Sequence, residues 1–282
     1  MMILAIAIAV VVSAIAIQRA IAARRFVERV ERELREAREI QQSLVPKIVP
    51  RCDDCWAFEL SAALEPARGV GGDLYDFFWI DDRRFFFMIG DVSEKGVPAA
   101  LIMAVVRTLV KSSVQPRRAL CDVLAAVNDE LSQGNSAMMI VTLFACIIDA
   151  ETGELEYCDA GHNPPYLLPR GAPPILLVKR PGIALGLTPG FRFRSEKMEL
   201  RRGDGIFLYT DGITEAMNTA RDVYTEERLA RALDGATGEE LRLVVQRVLS
   251  DVAAFRRAAP QSDDIAMLVL RRKDEGEPRP MA

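Results

Sequence analysis

Residues 71–104 read GGDLYDFFWIDDRRFFFMIGDVSEKGVPAALIMA, and this stretch indicates the fold class. Two runs of aromatic and β-branched residues, 75–80 and 85–91, are separated by Asp-Asp-Arg, a pattern that predicts a β-hairpin. A helix is predicted over 97–114, since Pro98 is tolerated in a first helical turn. Along the whole chain, groups of predicted strands are interrupted by pairs of predicted helices. This order favours an α+β layered fold over alternating βαβ units.

Aspartates stand at four places where a predicted strand begins or ends, in each case beside glycine or another aspartate. Several carboxylates at one spot are unfavourable unless a cation neutralises them. Ligands that are all oxygen suit hard divalent ions such as Mg²⁺ or Mn²⁺. An Asp-Gly step alone usually marks a turn, so the prediction of a metal site depends on the four places together. The aspartates are Asp73, Asp91, Asp211, Asp263 and Asp264.

The composition narrows the possible chemistry. The 282 residues contain 36 Lys plus Arg, 40 Asp plus Glu and one His, which gives a formal net charge of −4. One histidine excludes His-rich zinc and iron sites, and a Ser-His-Asp triad would have to use His162. A mildly acidic body argues against nucleic-acid partners. The five cysteines suggest reduced thiols, and Cys52 and Cys55 form a single CxxC without the second pair that structural zinc needs.

Five motifs occur in order along residues 44–272, and as a set they resemble the bacterial stage-II-sporulation-E-like branch of the protein phosphatase 2C (PPM) superfamily. The resemblance implies a four-layer αββα sandwich, in which two antiparallel sheets are flanked by helices. It also implies a protein serine/threonine phosphatase that uses two Mn²⁺ or Mg²⁺ ions. The motifs are GGDLYDFF (71–78), GDVSEKGVPAALIMA (90–104), AGHNPPYLL (160–168), LYTDGITEAMN (208–218) and SDDIAMLVL (262–270).

The same resemblance implies roles for individual residues. Asp91 bridges the two ions, and the backbone carbonyl of Val92 is a ligand of one of them. Asp211 and one aspartate of the SDD motif complete the other ion's site; Asp263 and Asp264 both remain candidates, and the register of the motif favours Asp263. Asp73 contacts the ions directly or through water, so the expected catalytic residues are Asp73, Asp91 and Asp211. The expected metal ligands are Asp73, Asp91, Val92, Asp211 and either Asp263 or Asp264.

Two further residues are candidates for substrate binding, and a third residue departs from the family pattern. Arg68 binds phosphate or is an exposed structural arginine. His162 either assists the leaving group as a general acid or orders a loop by hydrogen bonds. Glu94 stands where the family usually has the middle glycine of Gly-Asp-Val-Ser-Gly-Lys-Gly. If that position needs a positive φ, glutamate there is strained by about 1 kcal/mol or more.

The N-terminus predicts a membrane anchor. Of residues 1–23, 20 are apolar, which is long enough to span a bilayer. A cleaved signal peptide is the alternative, but the positive charges follow the apolar run instead of preceding it. We therefore expect an uncleaved single-pass anchor in the cell membrane, and the arginines that follow it predict a cytoplasmic catalytic domain.

Residues 24–45 predict an amphipathic helix with apolar positions at heptad spacing, which Pro46 ends. The heptad face either packs on its own domain or pairs with a second copy in a homodimeric coiled coil. The catalytic domain is expected over 46–272, and the charged, Pro-containing tail 273–282 is expected to be disordered.

The function that these expectations favour is a membrane-anchored, metal-dependent phosphatase. Its nucleophile is a water activated by the metal pair, and its substrate is a phosphoserine or phosphothreonine. Relatives of this branch act on anti-sigma-factor antagonists, so the resemblance implies a partner of that type. Three alternatives remain: a weakly active or non-catalytic binding module, a phosphatase of small molecules, and an inert cap on a signalling coil.

Overall fold

The computed structural model describes residues 2–46, 57–133, 135, 138–178 and 182–273, except for the side chains of 3–14. Cys52, Cys55 and nearly all of the tail 273–282 lie outside the described residues. The helices are α1 Met2–Leu44, α2 Val97–Ser113, α3 Leu120–Ser132, α4 Asp211–Thr214, α5 Glu226–Leu233 and α6 Leu241–Arg256. The strands are β1 Phe58–Glu65, β2 Leu74–Trp79, β3 Arg84–Val92, β4 Val141–Asp149, β5 Glu154–Ala160, β6 Tyr166–Leu168, β7 Ile175–Leu176, β8 Ser195–Glu199, β9 Gly205–Tyr209 and β10 Ile265–Arg272.

The strands form two antiparallel sheets, which confirms the α+β prediction. One sheet has the order β1-β10-β9-β6-β7, and the other has the order β2-β3-β4-β5-β8. The predicted hairpin is the pair β2–β3, in which Leu74 lies opposite Gly90 and Trp79 lies opposite Phe85. The short strands β6 and β7, which the sequence did not indicate, extend the first sheet.

The alternation of side chains along β3 shows how the layers are built. Phe85, Phe87 and Ile89 are buried between the two sheets, whereas Phe86 and Met88 are buried on the opposite face. That opposite face packs on α2 and α3, and α5 and α6 cover the outer face of the other sheet. Because successive side chains of a strand point to opposite faces, a continuous apolar run fills two separate cores. The result is the predicted order of layers: helices, sheet, sheet, helices.

The antiparallel pairing brings the predicted aspartate positions to one edge of the sandwich. The start of β2 lies beside the end of β3, since Leu74 is opposite Gly90. The end of β9 lies beside the start of β10, since Tyr209 is opposite Met267. The residues just outside these strand ends are therefore neighbours across the gap between the sheets.

The N-terminal segment differs from the expectation. Helix α1 is continuous from Met2 to Leu44 and so includes both the apolar segment and the heptad segment that follows it. The same helix carries seven Arg and five Glu. In the part of the chain that the structure describes, no helix has the length of apolar sequence that a bilayer crossing requires. The prediction of single-pass membrane localisation is therefore wrong, and the described residues give no support to a transmembrane anchor or a membrane partner.

The second half of α1 packs on its own domain. Val30, Leu34 and Ala37 are half-buried, whereas Val27, one turn earlier, is 52% exposed. Gln41 is only 4% exposed. Its Nε2 donates to the Gly71 carbonyl at 2.6 Å, and its Oε1 accepts from the Gly71 N–H at 3.1 Å. From Val30 onward, the heptad face is thus directed at the catalytic domain.

The turn between β3 and α2 contains the position at which the chain departs from its family. Glu94 has φ 78, and Gly96 also has φ 78. A residue with a side chain is strained in this left-handed region, whereas glycine is not.

We expect Gln41→Ala to weaken the docking of α1 by about 1–3 kcal/mol, because it leaves the Gly71 N–H and carbonyl without their partners. Amide hydrogen exchange of residues 30–45 should rise in this variant. Gln42→Ala is the matched control, since Gln42 is exposed. Equal exchange in the two variants would contradict a docking role for Gln41.

We expect Glu94→Gly to raise the free energy of unfolding by about 1 kcal/mol, because glycine relieves the strain of a positive φ. The gain is reduced by the greater freedom of glycine in the unfolded chain. Chemical denaturation of the two proteins measures the difference. Gly96→Ala, at the other positive-φ position of this turn, should instead lower the free energy of unfolding. A loss of stability in both variants would argue against strain at Glu94.

Candidate active site

The site is a set of carboxylates at the edge where the two sheets meet, and Asp73 is the most deeply buried of its catalytic candidates. Asp73 is 2% exposed. Burial raises its pKa well above the usual range, and the nearby charge of Asp91 raises it further. The Thr210 hydroxyl donates to Asp73 Oδ2 at 2.6 Å, which opposes that rise. Thr210 itself accepts from the Ala266 N–H at 2.8 Å, so its hydroxyl is fixed by β10.

Asp91 lies at the end of β3 and faces charge from several sides. Burial raises its pKa to about 7, with further contributions from Asp211, Asp263 and Asp264. A hydrogen bond with Asp73 lowers the pKa of Asp91 and raises that of Asp73. The two carboxyls therefore do not titrate independently of each other.

Asp211 follows β9 and begins the short helix α4. Burial raises its pKa, and the charges of Glu215 and Asp263 add to the rise. The Lys95 ammonium and the Gly212 N–H act in the opposite direction. Asp91, Asp211 and Asp263 thus lie within electrostatic reach of one another, as their positions at strand ends predicted.

Asp263 and Asp264 are adjacent in sequence but have different surroundings. Asp264 is 5% exposed, and its two oxygens accept from the Ala67 and Gly72 N–H groups at 2.7 and 2.8 Å. The Asp263 carboxylate is 33% exposed and makes an ion pair with Lys95, with Nζ and Oδ2 at 2.7 Å. Asp264 therefore holds the loop that precedes Asp73, whereas the more exposed Asp263 pairs with Lys95.

Two glycines allow backbone to approach closely here. A methyl group on Gly72 would lie 2.9 Å from the Val92 carbonyl oxygen, and one on Gly212 would overlap the Asp264 carbonyl. The Val92 side chain is 1% exposed in the core, so the part of this residue that is available to the site is its backbone.

The donors fit a hard divalent cation by their chemistry, because they are carboxylate and carbonyl oxygens. Such a cation would also offset the repulsion that raises the pKa values of Asp73, Asp91 and Asp211. Within the described ranges, no three Asp, Glu, His or Cys side chains converge closely enough to form a preassembled metal site. The carboxylates are therefore neighbours that would have to move closer together to share an ion.

The two substrate-binding candidates lie in different environments. His162 is 3% exposed, and its Nδ1 and Nε2 are 2.8 Å from Thr142 Oγ1 and 3.0 Å from the Tyr209 carbonyl. A carbonyl only accepts, so Nε2 carries the proton and Nδ1 accepts from Thr142. Arg68 is exposed and makes no hydrogen bond or ion pair with the described part of the chain.

The position of His162 connects two of the strand ends. Thr142 lies directly opposite Asp91 in the β3–β4 pair, and Tyr209 precedes Asp211 by two residues. His162 therefore ties one sheet to the other next to both aspartates.

Sequence reasoning missed two side chains at this site, Thr210 and Lys95. Both stand inside the quoted motifs: Thr210 directly precedes Asp211, and Lys95 follows Glu94. Neither side chain is a carboxylate, so a search for carboxylates passes over them. Their partners, Asp73 and Asp263, are distant in sequence, and only the fold reveals the contacts.

Comparison with known proteins is consistent with this geometry. The sequence model of the family described as stage II sporulation protein E (SpoIIE) matches residues 81–273. The chain is 30% identical to protein IcfG of Synechocystis over 85% of its own length, and spans 41% of that protein. It is 25% identical to phosphoserine phosphatase RsbU of Bacillus subtilis, over 87% of this chain and 72% of RsbU.

A solved structure shows the same fold. The SiaA PP2C domain of Pseudomonas aeruginosa superposes with a TM-score of 0.76, covering 86% of this chain and 97% of that domain at 20% identity. The family match covers more than half of the chain. The chain therefore belongs to the SpoIIE family, and its fold is that of a PP2C domain.

Proposed function

We propose that this protein hydrolyses phosphoserine or phosphothreonine in a protein substrate with the help of two divalent metal ions. The observation that carries the proposal is the group of buried carboxylates at one edge of the sandwich. Asp73, Asp91 and Asp211 each have a raised pKa from burial and from neighbouring negative charge. Buried like charges destabilise a fold, so their retention at one place favours a cation-dependent function.

The ligand set follows from the surroundings of each oxygen. Asp91 is central, since its pKa responds to Asp211, Asp263 and Asp264. We assign it to both ions, with the Val92 carbonyl on one and with Asp211 and Asp263 on the other. Asp264 is assigned to the loop, because the Ala67 and Gly72 N–H groups already occupy its oxygens. When bound, Mn²⁺ or Mg²⁺ lowers the pKa of water to near neutrality and offsets charge on phosphoryl oxygens.

The remaining residues position the ligands and the substrate. Thr210 fixes Asp73 through its 2.6 Å hydrogen bond, so this carboxyl cannot rotate freely. His162 fixes the strand ends near Asp91 and Asp211 through Thr142 and the Tyr209 carbonyl. Arg68 is exposed next to Ala67, which Asp264 holds, so its guanidinium is free to bind the phosphate of a docking protein.

For the substrate, we propose a phosphorylated antagonist of an anti-sigma factor. The support is the resemblance of the motifs and the 25% identity to RsbU, which is named a phosphoserine phosphatase. The chain spans 41% of the length of IcfG. We further propose that any homodimer uses the first part of residues 24–45, where Phe26 and Val27 are 65% and 52% exposed.

Asp91→Asn should reduce phosphate release from a phosphorylated antagonist by at least about 100-fold, as expected when a central charge-stabilising group is lost. The assay measures Mn²⁺-dependent release under conditions in which both proteins are folded. Asp122→Asn, the same change at an exposed position of α3, is the control and should retain wild-type activity. Equal rates for Asp91→Asn and wild type would refute the assignment.

Asp263→Asn and Asp264→Asn should separate metal binding from loop stability. Asp264→Asn should lower the free energy of unfolding in EDTA by about 1–3 kcal/mol, since the amide nitrogen cannot accept a backbone N–H. Asp263→Asn removes the Lys95 ion pair but also a charge that repels Asp91 and Asp211, so it should change that stability by less than Asp264→Asn does, and it should weaken Mn²⁺ binding in calorimetric titration. The reverse pattern would assign Asp264 to the metal.

A further inference from the structure

Lys95 is a cation placed inside the carboxylate site by the turn between β3 and α2. Its Nζ lies 2.7 Å from Asp263 Oδ2 and donates to the Ser262 carbonyl at 2.8 Å. Both partners precede β10, in the other sheet. The positive φ of Glu94 and Gly96 on either side of Lys95 turns the chain back toward the site.

The contact has an electrostatic consequence beyond Asp263. The ammonium also lowers the pKa of Asp211, which burial and the charges of Glu215 and Asp263 raise. Lys95 therefore reduces the repulsion between two of the carboxylates assigned to one ion. A monovalent ammonium and a divalent ion would compete for the same oxygens, since each is stabilised by the charge that the other neutralises.

We propose that Lys95 is a built-in counter-cation that occupies Asp263 in the metal-free protein and must release it when a divalent ion binds. The proposal rests on the proposed metal-dependent function. The side chains of Lys95 and Asp263 are 37% and 33% exposed, so the pair lies at the rim of the site and can separate without unfolding the core. The freed ammonium then returns to solvent.

The exchange sets the metal affinity of the site. Part of the free energy of ion binding is used to break the contacts of Lys95 with Asp263 and Ser262. Removal of the ammonium therefore strengthens metal binding and destabilises the metal-free protein, a combination that loss of an ordinary surface ion pair does not produce. Removal of a residue that helps to hold the metal would instead weaken metal binding.

The test is calorimetric titration of Mn²⁺ into the full chain at fixed pH, together with thermal unfolding in EDTA. Lys95→Met keeps the aliphatic stem and removes the charge. We expect it to lower the Kd for Mn²⁺ by about tenfold, which is the lower end of the range by which residues around metal ligands alter affinity but in the opposite direction to the usual loss, and to lower the unfolding temperature in EDTA. Lys95→Gln should act in the same direction and serves as a second variant if the first does not fold.

Lys197→Met is the matched control, because Lys197 makes a 2.6 Å ion pair with Glu154 on a surface where both side chains are more than half exposed. It should leave the Kd unchanged. In an Asp263→Asn background, Lys95→Met should have no further effect on Mn²⁺ binding. Unchanged or weaker binding by Lys95→Met, with saturable binding by wild type, would overturn the counter-cation role alone. Absence of Mn²⁺ binding by wild type would instead remove the proposed function.

Discussion

Repulsion between buried carboxylates is the constraint to which the rest of this structure responds. Asp73 and Asp91 are close enough to share a hydrogen bond, and Asp211 adds charge from the other sheet. In an apolar interior such a group is stable only if protons, hydrogen-bond donors or cations offset the charge. Thr210 supplies a hydrogen-bond donor to Asp73, and Lys95 supplies a cation to Asp263.

The hydrogen bonds around these carboxylates also hold the two sheets together. Thr210, after β9, donates to Asp73 before β2. Asp264, before β10, accepts from the loop 67–72 that leads into β2. His162 joins Thr142 in one sheet to the Tyr209 carbonyl in the other. Each contact spans the gap between the sheets at the same edge. Polar contacts therefore hold the sheets together at this edge, and apolar packing holds them together elsewhere.

Individual strands and helices could be predicted from local patterns, whereas the order of the four layers was implied by the resemblance of the motifs to a known family. The run 85–89 is apolar at every position, so only the structure assigns Phe85 and Phe87 to one core and Phe86 to the other. The convergence of the aspartates could also be predicted from strand ends. The separate roles of Asp263 and Asp264 could not, because they depend on backbone N–H groups nearly 200 residues away. The membrane anchor was predicted from an apolar count, but the structure places that segment in a longer, charged helix.

The same reasoning connects the N-terminal helix to the carboxylates. Gln41 holds both polar backbone groups of Gly71, and the next residue, Gly72, donates its N–H to Asp264. A methyl on Gly71 would overlap the Asp264 carboxylate, so the loop cannot shift toward it without a clash. Undocking of α1 would leave two backbone groups unpaired next to Asp73. The free energy of helix docking and the geometry of the site therefore depend on the same loop, and a change in one must appear in the other.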